Sequence, residues 1–181
     1  GEYAGLAPAV RLFSLQVLDK AGNGKTSDVI AALEYAAVNK TALGIDVINL
    51  SLGHPVLEPA ATDPLVQAVE AAVRAGIVVV VSAGNLGTNP QTGHVGYAGI
   101  TSPGNAPSAI TVGAIDTMGT PLPNDDRVTA YSSRGPTWYD AYAKPDVVAP
   151  GHHLVGEAST HSALYRNNPN RQVRSQNGSA L

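Results

Sequence analysis

Two short segments combine small residues, a glycine and a hydrogen-bonding side chain: Ser51-Leu52-Gly53 and Ser82-Ala83-Gly84-Asn85. Glycine lets another backbone come close, and a neighbouring amide or hydroxyl can then donate to it. In that setting Asn85 can stabilise an electrophile, its amide aimed at an oxygen that gains negative charge. Gly-Asn is equally a common turn pair, and the residues alone leave both readings of Asn85 open. Ser51 and Ser82 can line a cleft or attack a carbonyl, but no G-x-S-x-G elbow presents either as a nucleophile. His54 adjoins the first segment and is a candidate base. His94, His152, His153 and His161 read as loop histidines, and no pair has metal-ligand spacing with a carboxylate nearby. Cysteine is absent, which excludes thiolate nucleophiles, disulfides and Cys-ligated zinc. Gly22-Asn23-Gly24-Lys25-Thr26 sits where a phosphate loop would, yet the pattern needs a glycine at position 19, which is Asp19. A plain turn is the better reading.

The elements around these residues alternate. Arg11 to Leu18 reads as a short buried strand, followed by a Gly/Asn turn over Asp19 to Lys25. Thr26 or Ser27 offers a helix cap, Asp28 sits in the first turn, and apolar residues Val29, Ile30, Leu33, Ala36 and Ala37 recur at helical spacing to about Lys40. Gly44 closes that turn, and Asp46 to Leu52 is the second strand. Asp63, Pro64 and Gly76 mark a second helix as cap, first position and stop, with Leu65, Val69, Ala72 and Val73 inward. Ile77 to Ser82 is a third strand, apolar on both faces like a central parallel strand. Ile110 to Ile115 is a fourth, and Val128 to Tyr131, Val147 to Ala149 and Leu154 to Val155 are weaker strand candidates. The fold class is therefore α/β, three layers with a mostly parallel sheet flanked by helices. Ligands in such sheets bind beyond the carboxyl ends of the strands, where both Gly-bearing segments fall. Residues 160–181 are polar and read as a loop or tail.

Composition narrows the function classes. With 181 residues this is one domain, and 19 Gly with 13 Pro is turn-rich but well short of low complexity. An apolar share of 44% fills a core. The net charge of −3 and the lack of a basic stripe argue against nucleic acid. The longest aliphatic run, Ile77 to Val81, is far too short to span a membrane. Gly1-Glu2-Tyr3-Ala4-Gly5 has no charged or apolar leader region, so no signal peptide is read in this chain.

Six ordered blocks then carry a resemblance. Gly5-Leu6-Ala7-Pro8 with Val17-Leu18-Asp19, Asp46 to Gly53 (DVINLSLG), Val79 to Asn85 (VVVSAGN), Ser102-Pro103 with Ile110 to Ala114, Tyr131 to Pro136 (YSSRGP) and Lys144 to Gly151 (KPDVVAPG) are similar to segments of the subtilisin-like serine proteases, or subtilases. The matched blocks cover about residues 1–155. The resemblance implies a subtilisin-like sheet and an extended peptide as substrate. It implies that Ser51, Leu52 and Gly53 pair with substrate backbone and wall the S1 pocket, and that Ser82, Ala83 and Gly84 form the opposite wall. Val95, Gly96 and Tyr97 would close the pocket's base, and Asn85 would be the oxyanion-hole side chain. It also carries calcium binding and secretion as expectations, although Asp125-Asp126 reads as a solvated turn and no carboxylate-dense loop requires a metal.

The family's D-[ST]-G, H-G-T-H and G-T-S-M-A segments, which hold its catalytic Asp, His and Ser, do not occur here. The chain thus reads as the middle of a subtilase domain, truncated at both ends, with the pocket and half of the oxyanion hole but no triad. Two other readings differ in class: a weak esterase that improvises with Ser51, Ser82 and His54 beside Asn85, and a non-catalytic module that binds extended peptides. Surface left uncovered by the truncation makes a homo-oligomer the expected assembly.

Overall fold

A computed structural model describes residues 5–156 and 159–172. The chain divides into two units, residues 24–152 and residues 1–23 with 153–181. In the first, the order is α1 (Thr26–Val38), α2 (Lys40–Leu43), β1 (Val47–Leu50), α3 (Pro64–Arg74), β2 (Val78–Ser82), β3 (Ile110–Asp116), β4 (Arg127–Val128) and β5 (Val147–Pro150). β1, β2, β3 and β5 are parallel neighbours in that sequence. β4 joins antiparallel at the end of β3, where Ile115 pairs with Val128 on one edge and Pro150 on the other.

α3 is the best-specified element. Asp63 caps it by accepting from the N–H groups of Leu65 (2.8 Å) and Val66 (3.3 Å), and Pro64 opens it. It ends in a Schellman motif: Gly76, at φ +84°, donates to Val73 and Ile77 donates to Ala72. Leu65, Val66, Val69 and Ala72 are buried, as are Val29, Leu33 and Ala36 of α1, which packs on α3. Asp63 also holds a distant residue, for its second oxygen accepts from the buried Ser102 hydroxyl at 2.7 Å. Asp63→Ala is therefore expected to cost about 2 kcal/mol, one part a lost cap and one part a stranded buried hydroxyl. Urea titration checks this, with Asp63→Asn expected to recover most of the loss.

Several sequence expectations change. β2 is central, but only its Val79 and Val81 face is buried. The register puts Val47 beside Val78, Val80 beside Ile110 and Val112 beside Val147 on the other face. There Val47, Val78, Ile110 and Val147 are 41–59% exposed, because α1 and α3 both lie on the opposite side. Neither Thr26 nor Ser27 caps α1, since Lys25 holds the cap position without a side-chain bond. α1 stops at Val38, where the Asn39 amide donates to Tyr35 O (2.8 Å), and α2 follows as a separate turn closed by Gly44 at φ +65°. The strand expected at Val128 to Tyr131 is confined to Arg127–Val128.

In the second unit, Arg11 to Leu18 is not a strand. No strand ladder forms along it, and Leu12, Phe13 and Leu15 are exposed. An apolar stretch becomes a buried strand only where a neighbour offers ladder bonds and cover. The turn after it is as expected: Asp19 accepts through Oδ1 from Ala21 N and Asn23 N, with Gly22 at φ +81°. Leu154 and Val155 are exposed and unpaired in any ladder. The expected tail holds a short helix, α4 (Ala163–Asn167), capped by Ser162. Residues 1–4 and 173–181 of the expectations above lie outside the described residues.

Candidate functional site

β1 and β2 end side by side, with Leu50 paired to Val81, so Ser51–Gly53 and Ser82–Asn85 emerge as neighbours at the carboxyl edge of the sheet. The segment Thr101-Ser102 joins the two. His54 and Ser102 exchange both backbone bonds at 2.9 Å, and Thr101 N donates to Ala83 O at 3.1 Å. Both wall glycines face this segment at close range. A Cβ on Gly53 would stand 2.7 Å from Ser102 O and 3.0 Å from Thr101 Oγ1. One on Gly84 would stand 2.8 Å from Thr101 Cγ2 and 2.9 Å from Ser133 Oγ. Gly84 also sits at φ +103°, where L side chains are strained. The glycines are thus required by the close approach of Thr101, whose side chain lies against both walls.

Asn85 is exposed at the apex of the second segment, and its side-chain amide has no hydrogen-bond partner among the described residues. Its backbone is held on both sides: Ser133 N donates to Gly84 O (3.0 Å), Leu86 N donates to Ser133 Oγ (3.0 Å) and Gly87 N donates to Tyr131 O (3.0 Å). The Arg134 guanidinium backs the same loop, donating to the carbonyls of Gly87 (3.1 Å), Ser132 (3.2 Å) and Thr129 (3.3 Å). A fixed backbone carrying an uncommitted donor is the arrangement that oxyanion stabilisation requires.

The other sequence candidates fall differently. Val95, Gly96 and Tyr97 lie along the Leu86–Asn89 strip: Val95 bridges to Thr88, Gly96 N donates to Gly87 O, and Val95 and Tyr97 are exposed. Ser51, Ser82 and His54 share no hydrogen bond with one another. Ser51 Oγ accepts from the Asn49 amide (3.0 Å), and His54 Nδ1 lies 2.8 Å from Pro55 O. No nucleophile–base pair is built from them. For calcium, no group of three or more His, Asp or Glu among the described residues converges on one point, and Asp125 accepts from Thr120 Oγ1 at 2.9 Å.

Thr101, Ser102, Ser133 and Arg134 were not singled out from the sequence, although Ser102, Ser133 and Arg134 lie inside matched blocks. The available signal was the pair of glycines, which demand that something come close without saying what.

The comparisons bear on the whole chain. A model of the subtilase family, Peptidase S8, matches residues 2–180, so the likeness runs past residue 155. Serine protease AprX of Bacillus subtilis (strain 168) is 40% identical over 181 residues, covering 97% of this chain and 39% of that protein. Subtilisin DY of Bacillus licheniformis is 34% identical, covering 98% of this chain and 51% of its own. Among solved structures, Sphericase superposes with a TM-score of 0.64 at 32% identity, over 81% of this chain and 45% of its own. The chain thus spans about half the length of these relatives or less. A parallel sheet with two glycine-bearing strand ends at its carboxyl edge, matched over nearly its full length by these proteins, places the chain in the subtilase family of serine peptidases.

Proposed function

We propose that this chain is the substrate-binding and oxyanion part of a subtilisin-like serine endopeptidase. Ser51-Leu52-Gly53 and Ser82-Ala83-Gly84 receive an extended peptide between them, and Asn85 donates to the carbonyl oxygen that becomes an oxyanion. The observation that carries this is the convergence of two glycine walls on Thr101 beside an exposed amide with no internal partner. Thr101 packs against both walls, and Val95, Gly96 and Tyr97 close the base of the pocket. Extracellular localisation goes with the same reading. In the serine peptidase reaction, a nucleophile adds to the peptide carbonyl and the donor stabilises the tetrahedral oxyanion. The nucleophile and base are not in these 181 residues, so the chain binds and polarises without cleaving.

Nothing in the geometry favours the esterase reading, since neither Ser51 nor Ser82 has a base within hydrogen-bond reach. The test is a titration of the ¹⁵N-labelled chain with an extended peptide, N-acetyl-tetra-alanine amide, alongside a peptidase assay. Shifts confined to Leu52, Gly53, Ala83, Gly84, Asn85 and Thr101 are expected, with hydrolysis equal to buffer. Binding elsewhere, or turnover that survives repurification, would overturn the proposal.

A further inference from the structure

Ser133 makes two bonds that bracket a single residue. Its N–H donates to Gly84 O at 3.0 Å, and its Oγ accepts from Leu86 N at 3.0 Å. Those two groups belong to the two peptide planes on either side of Asn85. Fixing both planes fixes φ and ψ of Asn85, and with them the direction in which its side chain leaves the backbone. Ser133 is fully buried and so cannot drift from this position. Its hydroxyl reaches Leu86 only because Gly84 has no Cβ, which would stand 2.9 Å from Ser133 Oγ. Asn85 itself spends none of its side-chain amide donors on the described residues.

We infer that Ser133 is the positioning residue of the oxyanion site: it sets the direction of the Asn85 Cα–Cβ bond, and so the range its amide can reach, without touching substrate. The inference rests on the reading of Asn85 given above and adds a residue to it. A donor whose backbone is fixed in this way favours a tetrahedral anion over a planar neutral carbonyl, because the backbone need not reorganise when charge appears. Arg134 and Tyr131 hold Gly87, two residues on, and leave the planes around Asn85 to Ser133.

A structural comparator exists next door. Ser132 is just as buried, but its Oγ accepts from Ala114 N of β3 at 2.9 Å and makes no bond to the Asn85 loop. Both serines lose one buried hydrogen bond on mutation to alanine, while only Ser133 addresses Asn85.

The experiment measures affinity for two ligands: N-acetyl-tetra-alanine amide, and its analogue in which the terminal carboxamide is replaced by an anionic phosphonate monoester. The wild-type chain is expected to prefer the phosphonate at least tenfold, the discrimination of one charge-assisted hydrogen bond. Asn85→Ala and Ser133→Ala should each abolish that preference, the phosphonate losing at least tenfold more affinity than the amide. Ser132→Ala should keep the preference despite a similar loss of stability, and Ser133→Thr, which retains the hydroxyl, should restore it. If Asn85→Ala loses the preference and Ser133→Ala keeps it, the positioning role is overturned while the oxyanion reading stands. If Ser132→Ala loses it equally, Ser133 is merely structural. If the wild-type chain shows no preference, or Asn85→Ala retains one, the oxyanion reading fails and the positioning role with it. Amide hydrogen exchange adds a ligand-free check: Leu86 N–H is expected to be protected in the wild type and to lose protection in Ser133→Ala. An unprotected Leu86 in the wild type would overturn the inference directly.

Discussion

Gly87→Ala is expected to destabilise the chain by about 3 kcal/mol or more, the upper end of what overpacking costs. A Cβ on Gly87 would sit 2.1 Å from Ser132 O and 2.6 Å from Ala130 O. Both obstacles are backbone, so no rotamer change relieves them. The Tyr131–Arg134 segment would have to retreat, and with it the bonds from Gly87 N to Tyr131 O and from Arg134 to Gly87 O. Gly119→Ala is the contrast. Gly119 also has positive φ, +72°, but nothing lies within 4 Å of its Cβ position, so only the backbone term of about 1 kcal/mol applies. Urea unfolding of the two variants separates close approach from conformational freedom. Equal losses would show that the 84–87 loop is not pressed against Tyr131–Arg134. Because the same contact holds the Asn85 loop, the Gly87 variant should also lose peptide-induced shifts at Asn85 under conditions where it remains folded.

Much of the fold could be read from local chemistry. α3 was legible because its signals are independent and agree: Asp63 as cap, Pro64 at the first position, apolar residues on one face and Gly76 at the stop. β2 and β3 were legible as apolar runs between turn residues. Cover was not. Val78 and Val79 look alike in the sequence, yet one is 46% exposed and the other 1%, because exposure depends on which side the helices take. Arg11 to Leu18 shows the same limit, since strand-like composition cannot report whether a partner strand is present. The missing cap on α1 is a subtler case. Two hydroxyl residues in succession left the cap position ambiguous, and the helix starts one residue earlier than a Thr26 cap would place it and two earlier than a Ser27 cap would.

For the site, the sequence supplied the glycines and Asn85 but not the residues that make them matter. Gly53 and Gly84 are about thirty residues apart and meet through Thr101, which carries no motif of its own. Ser133 acts through its place beside Gly84 and Leu86, almost fifty residues away in the chain. Side chains whose role is to lie against a wall or hold a backbone have no characteristic spacing, so only the folded register exposes them. Val95–Tyr97 is placed by the same kind of contact, its bonds running to Gly87 and Thr88 just past Asn85.

Lys144→Met is the second large effect, again about 3 kcal/mol near neutral pH, and its pH dependence distinguishes its cause. The Lys144 side chain is 4% exposed, and Nζ donates to Ala109 O (2.8 Å) and to Asp146 Oδ2 (2.7 Å). The same carboxylate oxygen accepts from Thr111 N at 2.7 Å. One ammonium therefore ties the turn before β3 to the residue before β5, the strand pair that closes this edge of the sheet. Methionine fills the volume but leaves a buried carbonyl and a carboxylate without their cation, and removing one partner of such a pair costs about 3–5 kcal/mol. The lower end applies because Asp146 is 39% exposed and water reaches it. Burial alone would raise the Asp146 carboxyl, but the Lys144 and Thr111 hydrogen bonds and the Lys144 charge outweigh it and hold the group below its ordinary value of 3.8. A carboxyl depressed on folding contributes stability that is complete above its unfolded pKa and is lost as the pH falls through the folded one. The wild type should accordingly lose stability as the pH drops below about 3.8, while Lys144→Met, stripped of the lowering interaction, should change less. Urea midpoints of the two chains at pH 7, 5 and 3 are expected to converge toward the acid end. A gap that stays constant over that range would mean that Lys144 stabilises through packing and the Ala109 bond, with its charge on Asp146 contributing nothing measurable.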